Sequence, residues 1–248
     1  MIDTHAHLDA LDDPPTEVLD RARAAGVTRV VTIGTGIDSC RVVLGYAAGH
    51  EGVYAALGIH PHEAGGDDAG RVSELRDLLR HDRAVAVGET GLDHYRDYAP
   101  HDAQLRLFEA QLELADELEL PVVIHSRAAP SETAAALAGF AGTVILHCFS
   151  EPDQLLVAVE RGYYVSFAGN VTYRNADALR RAVADVPIDR LLVETDCPYL
   201  APQPVRARPN EPAFVVHTVD VLASVRGVSP DELGAQIDAN ATAAFSLS

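Results

Sequence analysis

Lysine is absent: all 19 basic positions of this chain are arginine. A Schiff-base aldolase, a P-loop nucleotide binder and a barrel hydrolase with a carboxylated bridging lysine all depend on that amine, so none of these chemistries is open to it. Cysteine is scarce. Cys40, Cys148 and Cys197 form no CxxC pair and no disulfide framework, which predicts a reducing, cytoplasmic setting. No apolar run approaches the roughly 18 residues of a membrane span. The opening MIDTHAHLDALDD has neither the basic stretch nor the apolar core of a signal peptide. Positive charge is also in short supply, 37 acidic residues against 19 basic giving a net charge of -18. Such a surface does not suit a long grip on duplex nucleic acid, which needs an extended basic face. It does allow a phosphate in one pocket, where bound cations and a few arginines reverse the potential locally.

What is present is a core-forming chain. Its 248 residues are 48% hydrophobic, with no internal repeat and no low-complexity linker, which predicts one domain over residues 1–248. Short Val/Ile/Leu runs alternate with helical patterns, the sign of a parallel sheet with crossover helices. Strands are expected near residues 1–6, 28–33, 53–59, 84–88, 121–125, 143–147, 163–167 and 190–194. Eight strands close a barrel, so the expected fold is α/β, a (β/α)8 TIM barrel, for which roughly 250 residues suffice. Between them, Leu105, Phe108, Leu112 and Ala115 follow three- and four-residue spacing, the apolar stripe of a helix over 104–118. Asn210-Glu211-Pro212 reads as a helix start, and Ser229 as the N-cap of another, giving extra C-terminal helices over one side of the barrel. Gly34-Thr35-Gly36 lacks the rest of a dinucleotide fingerprint and reads as a loop, and Ala168-Gly169-Asn170 as a turn.

Six of the apolar runs end in residue types that bind metals. They end at His5 (continuing to His7), His60, Glu89, His125, His147 and Asp196. A closed barrel would bring all these ends to one rim. His5 and His7, two apart on a strand, point to one side and could chelate together. Glu89, with two oxygens, is the natural bridge between two cations. The expected sets are His5, His7, Glu89 and Asp196 for one ion, and Glu89, His125 and His147 for the other. Two such ions roughly 3.5–4 Å apart activate a shared water and stabilise a leaving group. The ligands suit zinc, manganese or iron, and magnesium less well. Asp196 could also deprotonate that water. Glu194 shares its side but lies deeper, as a supporting group. His60 could hold a substrate phosphate or reach a metal, with His62 behind it, and Arg127, Arg206 and Arg208 could offer forked donors for phosphate oxygens. The five remaining histidines are expected to be ordinary loop or helix residues. Cys148 and Cys197 are expected to be turned away from the site by strand alternation.

Taken together these segments resemble the TatD-type metal-dependent deoxyribonucleases, a branch of the amidohydrolase-like barrels, over nearly the whole chain. The resemblance lies in Asp3-Thr4-His5-Ala6-His7-Leu8, Gly58-Ile59-His60-Pro61-His62, Gly88-Glu89-Thr90-Gly91-Leu92-Asp93, Pro121 to Arg127, His147-Cys148-Phe149-Ser150, Glu194 to Pro202 and Asn210-Glu211-Pro212. It implies a (β/α)8 fold, two divalent cations (zinc, manganese or magnesium) and phosphodiester hydrolysis, often trimming of DNA ends. The implied ligands are His5, His7, Glu89, His125, His147 and Asp196, with His60 at a position associated with the substrate phosphate. Glu151 departs from the family's usual glycine and puts negative charge near the pocket entrance. Arg206 and Arg208 stand where the family often has lysine.

The expected activity is therefore a cytoplasmic 3′-5′ exonuclease on single-stranded DNA ends. Asp196, Glu89 and His60 would act in catalysis, and His60, His62, Arg127, Arg206 and Arg208 in substrate binding. No membrane association is expected. A metal-dependent amidase or lactonase for a small molecule is the alternative, because the same activated water can attack a carbonyl carbon. A non-enzymatic interaction module with structural metals is a third reading.

Overall fold

The computed structural model describes residues 1–96 and 98–247, and its core is eight parallel strands paired in sequence order. They are β1 (Ile2–Ala6), β2 (Arg29–Gly34), β3 (Val53–Leu57), β4 (Ala84–Asp93), β5 (Val122–Arg127), β6 (Val144–Leu146), β7 (Tyr164–Phe167) and β8 (Leu191–Val193). Between and after them run α1 (Pro15–Ala24), α2 (Ile37–Gly49), α3 (Val72–Leu79), α4 (His101–Leu118), α5 (Pro130–Ala136), α6 (Leu155–Glu160), α7 (Asp177–Asp185), α8 (Val215–Arg226) and α9 (Pro230–Phe245). Helices on the outside bury the outer strand faces, so strands such as β3 and β4 are buried at every position. The expected (β/α)8 TIM barrel is the observed fold.

The ring closes at the C-terminal rim. Ala6 bridges Cys197, the His7 N–H donates to the Cys197 carbonyl at 2.9 Å, and the Asp196 N–H donates to the His5 carbonyl at 2.9 Å. The barrel seam thus seats the His5–His7 pair beside Asp196. α9 lies against β1 and β8 at the opposite end of the barrel, where the Asn240 amide donates to the Leu191 carbonyl and Asp238 pairs with the N-terminus. The Ser229 hydroxyl accepts from the Glu232 N–H at 3.2 Å, as an N-cap should. Asn210 departs from its expected role. Its amide turns back to the loop after β8 and donates to the carbonyls of Thr195 (2.9 Å) and Tyr199 (2.6 Å).

Strand lengths depart from expectation at the rim. β3, β6 and β8 stop short, leaving His60, His147 and Asp196 just beyond their ends, while β4 runs five residues past its expected end at 88. In sequence Gly88-Glu89-Thr90-Gly91 resembles a turn. In the fold Gly88 and Gly91 take φ of 150° and 139°, and the β4–β5 register shifts between Val87 and Thr90. Glycine tolerates such backbone, so the strand kinks and continues rather than ending. A Cβ on Gly91 would lie 2.0 Å from the His125 carbonyl oxygen. Gly91→Ala is therefore expected to destabilise the protein by about 2–4 kcal/mol, read as a lowered midpoint in denaturant.

Two buried glutamines on α4 occupy the face expected to be purely apolar, and Leu105 is only half-buried. Gln111 accepts from the Ile59 N–H (2.8 Å) and donates to the Ile59 carbonyl (2.9 Å) and Thr90 Oγ1 (2.7 Å). Gln104 accepts from the Asp93 N–H (2.9 Å) and donates to the carbonyls of Asp93 and Ala99. Each amide satisfies backbone groups that no ladder reaches. Together they tie the segments carrying His60 and Glu89 to one helix.

Candidate metal centre

Glu89 lies at the centre of the rim, buried, with five imidazoles around its carboxylate. Oε1 is 2.6 Å from His125 Nδ1, 2.8 Å from His147 Nε2 and 3.5 Å from His60 Nε2. Oε2 is 3.4 Å from His5 Nε2 and 3.8 Å from His7 Nε2. Asp196 Oδ1 joins from the seam, 3.3 Å from His7 Nε2 and 3.8 Å from His5 Nε2. The two strand-one imidazoles present Nε2 to Nε2 at 3.3 Å, although His7 already lies beyond β1.

The donor set fits a divalent cation. Ligands about 2.1 Å from a metal at tetrahedral angles lie about 3.3 Å from one another, close to the His5–His7, His5–Glu89 and His7–Asp196 spacings. His5, His7 and Asp196 form one compact group, and His5, Glu89 and His147 another. His125 Nδ1 lies 3.4 Å from His147 Nε2, on the Oε1 side of Glu89. No arginine contacts these atoms among the described residues, so protons or metals must balance the carboxylates. His5 Nδ1 is buried without a partner, so no hydrogen bond there fixes its tautomer.

Surrounding groups aim the ligands. Glu194 Oε1 meets His147 Nδ1 at 3.2 Å and accepts from the Cys148 N–H at 2.7 Å, directing His147 Nε2 at Glu89. Asp93 does the same for His125, with Oδ2 at 3.2 Å from Nε2, and meets His62 Nε2 at 2.9 Å. The loop bearing Asp196 is held by Asp3, which accepts from the Thr195 N–H (2.9 Å) and Oγ1 (2.5 Å), and by Asn210. Asp196 itself sits at a left-handed φ of 55°.

His60 is different. Its Nδ1 accepts from the His62 N–H at 3.2 Å, and burial pushes its pKa down to about 4, so the ring is neutral with its proton on Nε2. In that form the nitrogen donates toward Glu89 or an incoming oxygen, although His60 also forms a third compact donor group with Glu89 and His125. The position suits an anion contact, as the sequence suggested.

Burial, with His147 beside it, holds His5 below the usual imidazole range; at His7, His125 and His147 burial also pulls down, but nearby carboxylates override it. Asp196 raises His7, Asp93 and Glu89 raise His125, and Glu89 and Glu194 raise His147 well above the usual range. Burial likewise pushes carboxyls up, yet the histidines hold Glu89 well below the carboxylate range and Asp196 below it. Asp3 lacks such partners, and burial lifts it to about 7. His7, His125 and His147 therefore hold their protons more tightly than free imidazoles do when metal is absent. A cation must displace those protons, so uptake releases them and tightens as pH rises. Zinc or manganese affinity is expected to be at least roughly tenfold tighter at about pH 8.5 than at about pH 6.5, in chelator-competition titrations. A flat profile contradicts this proton count.

The cluster opens into a cavity of 830 Å³ at the rim, lined in part by His62, Arg127, Asn170 and Tyr199. Arg127 stands on this wall, its guanidinium 4.1 Å above the Tyr95 ring. Arg206 and Arg208 do not line it; they lie over Tyr173 and Phe214 at 3.9 and 5.2 Å. Cys197 is buried as expected, but Cys148 corrects its expectation. β6 ends at Leu146, so alternation no longer governs Cys148, which takes a φ of 43° and lines the cavity. Glu151 accepts from the Ala128 N–H at 2.9 Å, so its charge pins the segment after Arg127. Asp93, Asp3 and Asn170 were not assigned site roles from sequence. For Asp93 and Asn170 a carboxylate or amide at or just past a strand end was the available signal, whereas Asp3 lies near the start of β1 and gave none.

Comparison with known proteins gives a consistent result. The sequence model described as TatD related DNase matches residues 2–246. The chain is 40% identical to an uncharacterized metal-dependent hydrolase, TatD, of Mycobacterium tuberculosis, with 100% of this chain and 98% of that one covered. It is also 40% identical to a 3′-5′ ssDNA/RNA exonuclease TatD of Pantoea vagans, covering 93% of each. The crystal structure of YJJV, a TatD homologue from Escherichia coli, superposes with a TM-score of 0.94 at 32% identity, covering 100% of this chain and 98% of the other.

Proposed function

The chain belongs to the TatD-related DNase family of metal-dependent hydrolases, and on that premise we propose that it removes nucleotides from the 3′ ends of single-stranded DNA. The observation that carries this is the meeting of a cation-shaped donor cluster with a cavity whose wall bears guanidinium groups that have no carboxylate partner among the described residues. His5, His7, Glu89 and Asp196 would hold one divalent ion, and Glu89, His125 and His147 a second. Divalent ions in such a site supply Lewis acidity and lower the pKa of water.

The chain's own groups do the rest. Asp196 stays ionised and accepts a proton at its carboxylate. His60 donates its Nε2–H to a phosphate oxygen, with His62, held by Asp93, beside it. Arg127 offers its fork to the same phosphate. Glu194 and Asp93 hold the ligating imidazoles in place. Arg206 and Arg208 take no part, because both lie off the cavity wall. The activity for which the Pantoea relative is named supports strand type and polarity, and three free cysteines suit a cytoplasmic setting.

The test incubates protein loaded in turn with magnesium, manganese or zinc with 5′-labelled single-stranded DNA. Stepwise shortening from the 3′ end is expected, and an intact strand under all three metals overturns the proposal. Arg127→Ala separates it from an amidase or lactonase. KM for DNA is expected to rise about tenfold or more, whereas a neutral substrate would be little affected.

A further inference from the structure

Three of the chain's eight tyrosines stay exposed, and all three crowd the mouth of the metal cavity. Tyr95, Tyr98 and Tyr199 are 62%, 64% and 58% exposed, although tyrosine ordinarily hides its ring. Tyr98 and Tyr199 both line the cavity, above different ends of the cluster. Tyr98 meets His62 edge-on, ring centres 4.7 Å apart, at the His60–His125 end. Tyr199 meets His7 at 6.0 Å, at the His5–Asp196 end. Neither is loose. Tyr199 is held through its carbonyl by Asn210, and the Tyr95 N–H donates to Asp93 Oδ1 at 2.9 Å.

Tyr95 carries two cations rather than a base. The guanidinium groups of Arg127 and Arg96 lie over its ring at 4.1 and 5.5 Å, and both residues line the cavity. Neither is paired with a carboxylate among the described residues, while most arginines elsewhere on the surface are. In a chain of net charge -18, two free cations cannot hold a polyanion by charge alone. Aromatic faces can, because every base has a π-face and stacking does not depend on net charge.

We propose that the cavity grips its strand by the bases. Tyr98 and Tyr199 each stack one of the two nucleobases flanking the scissile phosphodiester, and the Arg127–Tyr95–Arg96 ledge holds the phosphate that His60 meets. This rests on the phosphodiesterase assignment above and adds to it the requirement for unpaired bases. A duplex end, with its bases stacked on each other, cannot offer them without fraying.

The experiment uses metal-loaded enzyme and single-stranded oligonucleotides carrying an abasic sugar at the last or the penultimate position. In the wild type each missing base is expected to raise KM about 5- to 150-fold, the value of one stacked base, with kcat changing far less. Tyr98→Ala is expected to erase the penalty at one position and Tyr199→Ala at the other, while Tyr98→Phe and Tyr199→Phe keep both. Trimming that ignores abasic sugars, or penalties that survive both alanine variants, overturns the stacking and leaves the phosphodiesterase assignment standing. If no strand is trimmed under any metal, that assignment falls and the stacking with it.

Discussion

Glu89→Gln is expected to abolish turnover, with kcat/KM on single-stranded DNA falling by more than roughly 10³-fold. Both oxygens of Glu89 are in use, Oε1 facing His125, His147 and His60 and Oε2 facing His5 and His7. An amide would aim N–H groups at one set of ring nitrogens and remove the negative charge that two cations would share. Metal content, measured by elemental analysis, is expected to fall below that of the wild type. The metal-free protein should suffer as well, because the raised imidazoles then lose their central counter-ion. Removing one partner of a buried ion pair costs about 3–5 kcal/mol, visible as a lowered melting temperature. Full metal content with near wild-type turnover would remove Glu89 from the centre of the mechanism.

Asp196→Asn is expected to act on chemistry and spare the fold. The loop is fixed through the Asp196 N–H to the His5 carbonyl, through Asp3 on Thr195 and through Asn210, and none of these uses the Asp196 side chain. The variant should keep the barrel but melt somewhat below wild type when metal-free, and by less than Glu89→Gln, because only His7 loses its main counter-ion. Its kcat should nevertheless drop about 10²- to 10⁴-fold, as for loss of a positioned proton acceptor. A protein that keeps its cellular role with this substitution is an interaction module, not a hydrolase.

Much of the site was legible because barrel topology forces strand ends together. Six apolar runs ending in histidine or carboxylate had only one way to be useful, and the structure brings His5, His7, Glu89, His125, His147 and Asp196 within contact of one another. What could not be read was how the chain leaves each strand. Glu89 does not end β4, since glycines at 88 and 91 let the strand bend and carry Asp93 to His125 and His62. Cys148 was placed by an alternation that stops two residues earlier. Arg206 and Arg208 were plausible phosphate donors by charge, but aromatic rings beside the cavity hold them elsewhere. Gln104 and Gln111 look like polar interruptions of an apolar stripe until their backbone partners are seen.

Sequence by itself determined the barrel, the ligand types and the exclusion of lysine chemistry, because burial periodicity and residue type are local properties. Tertiary structure alone decided that His60 carries its proton on Nε2, that Asp93 and Glu194 orient the ligands, and that the exposed tyrosines share one mouth. Those depend on register shifts and left-handed turns at the rim. Such features follow no period, and they bring together atoms from residues up to almost two hundred positions apart.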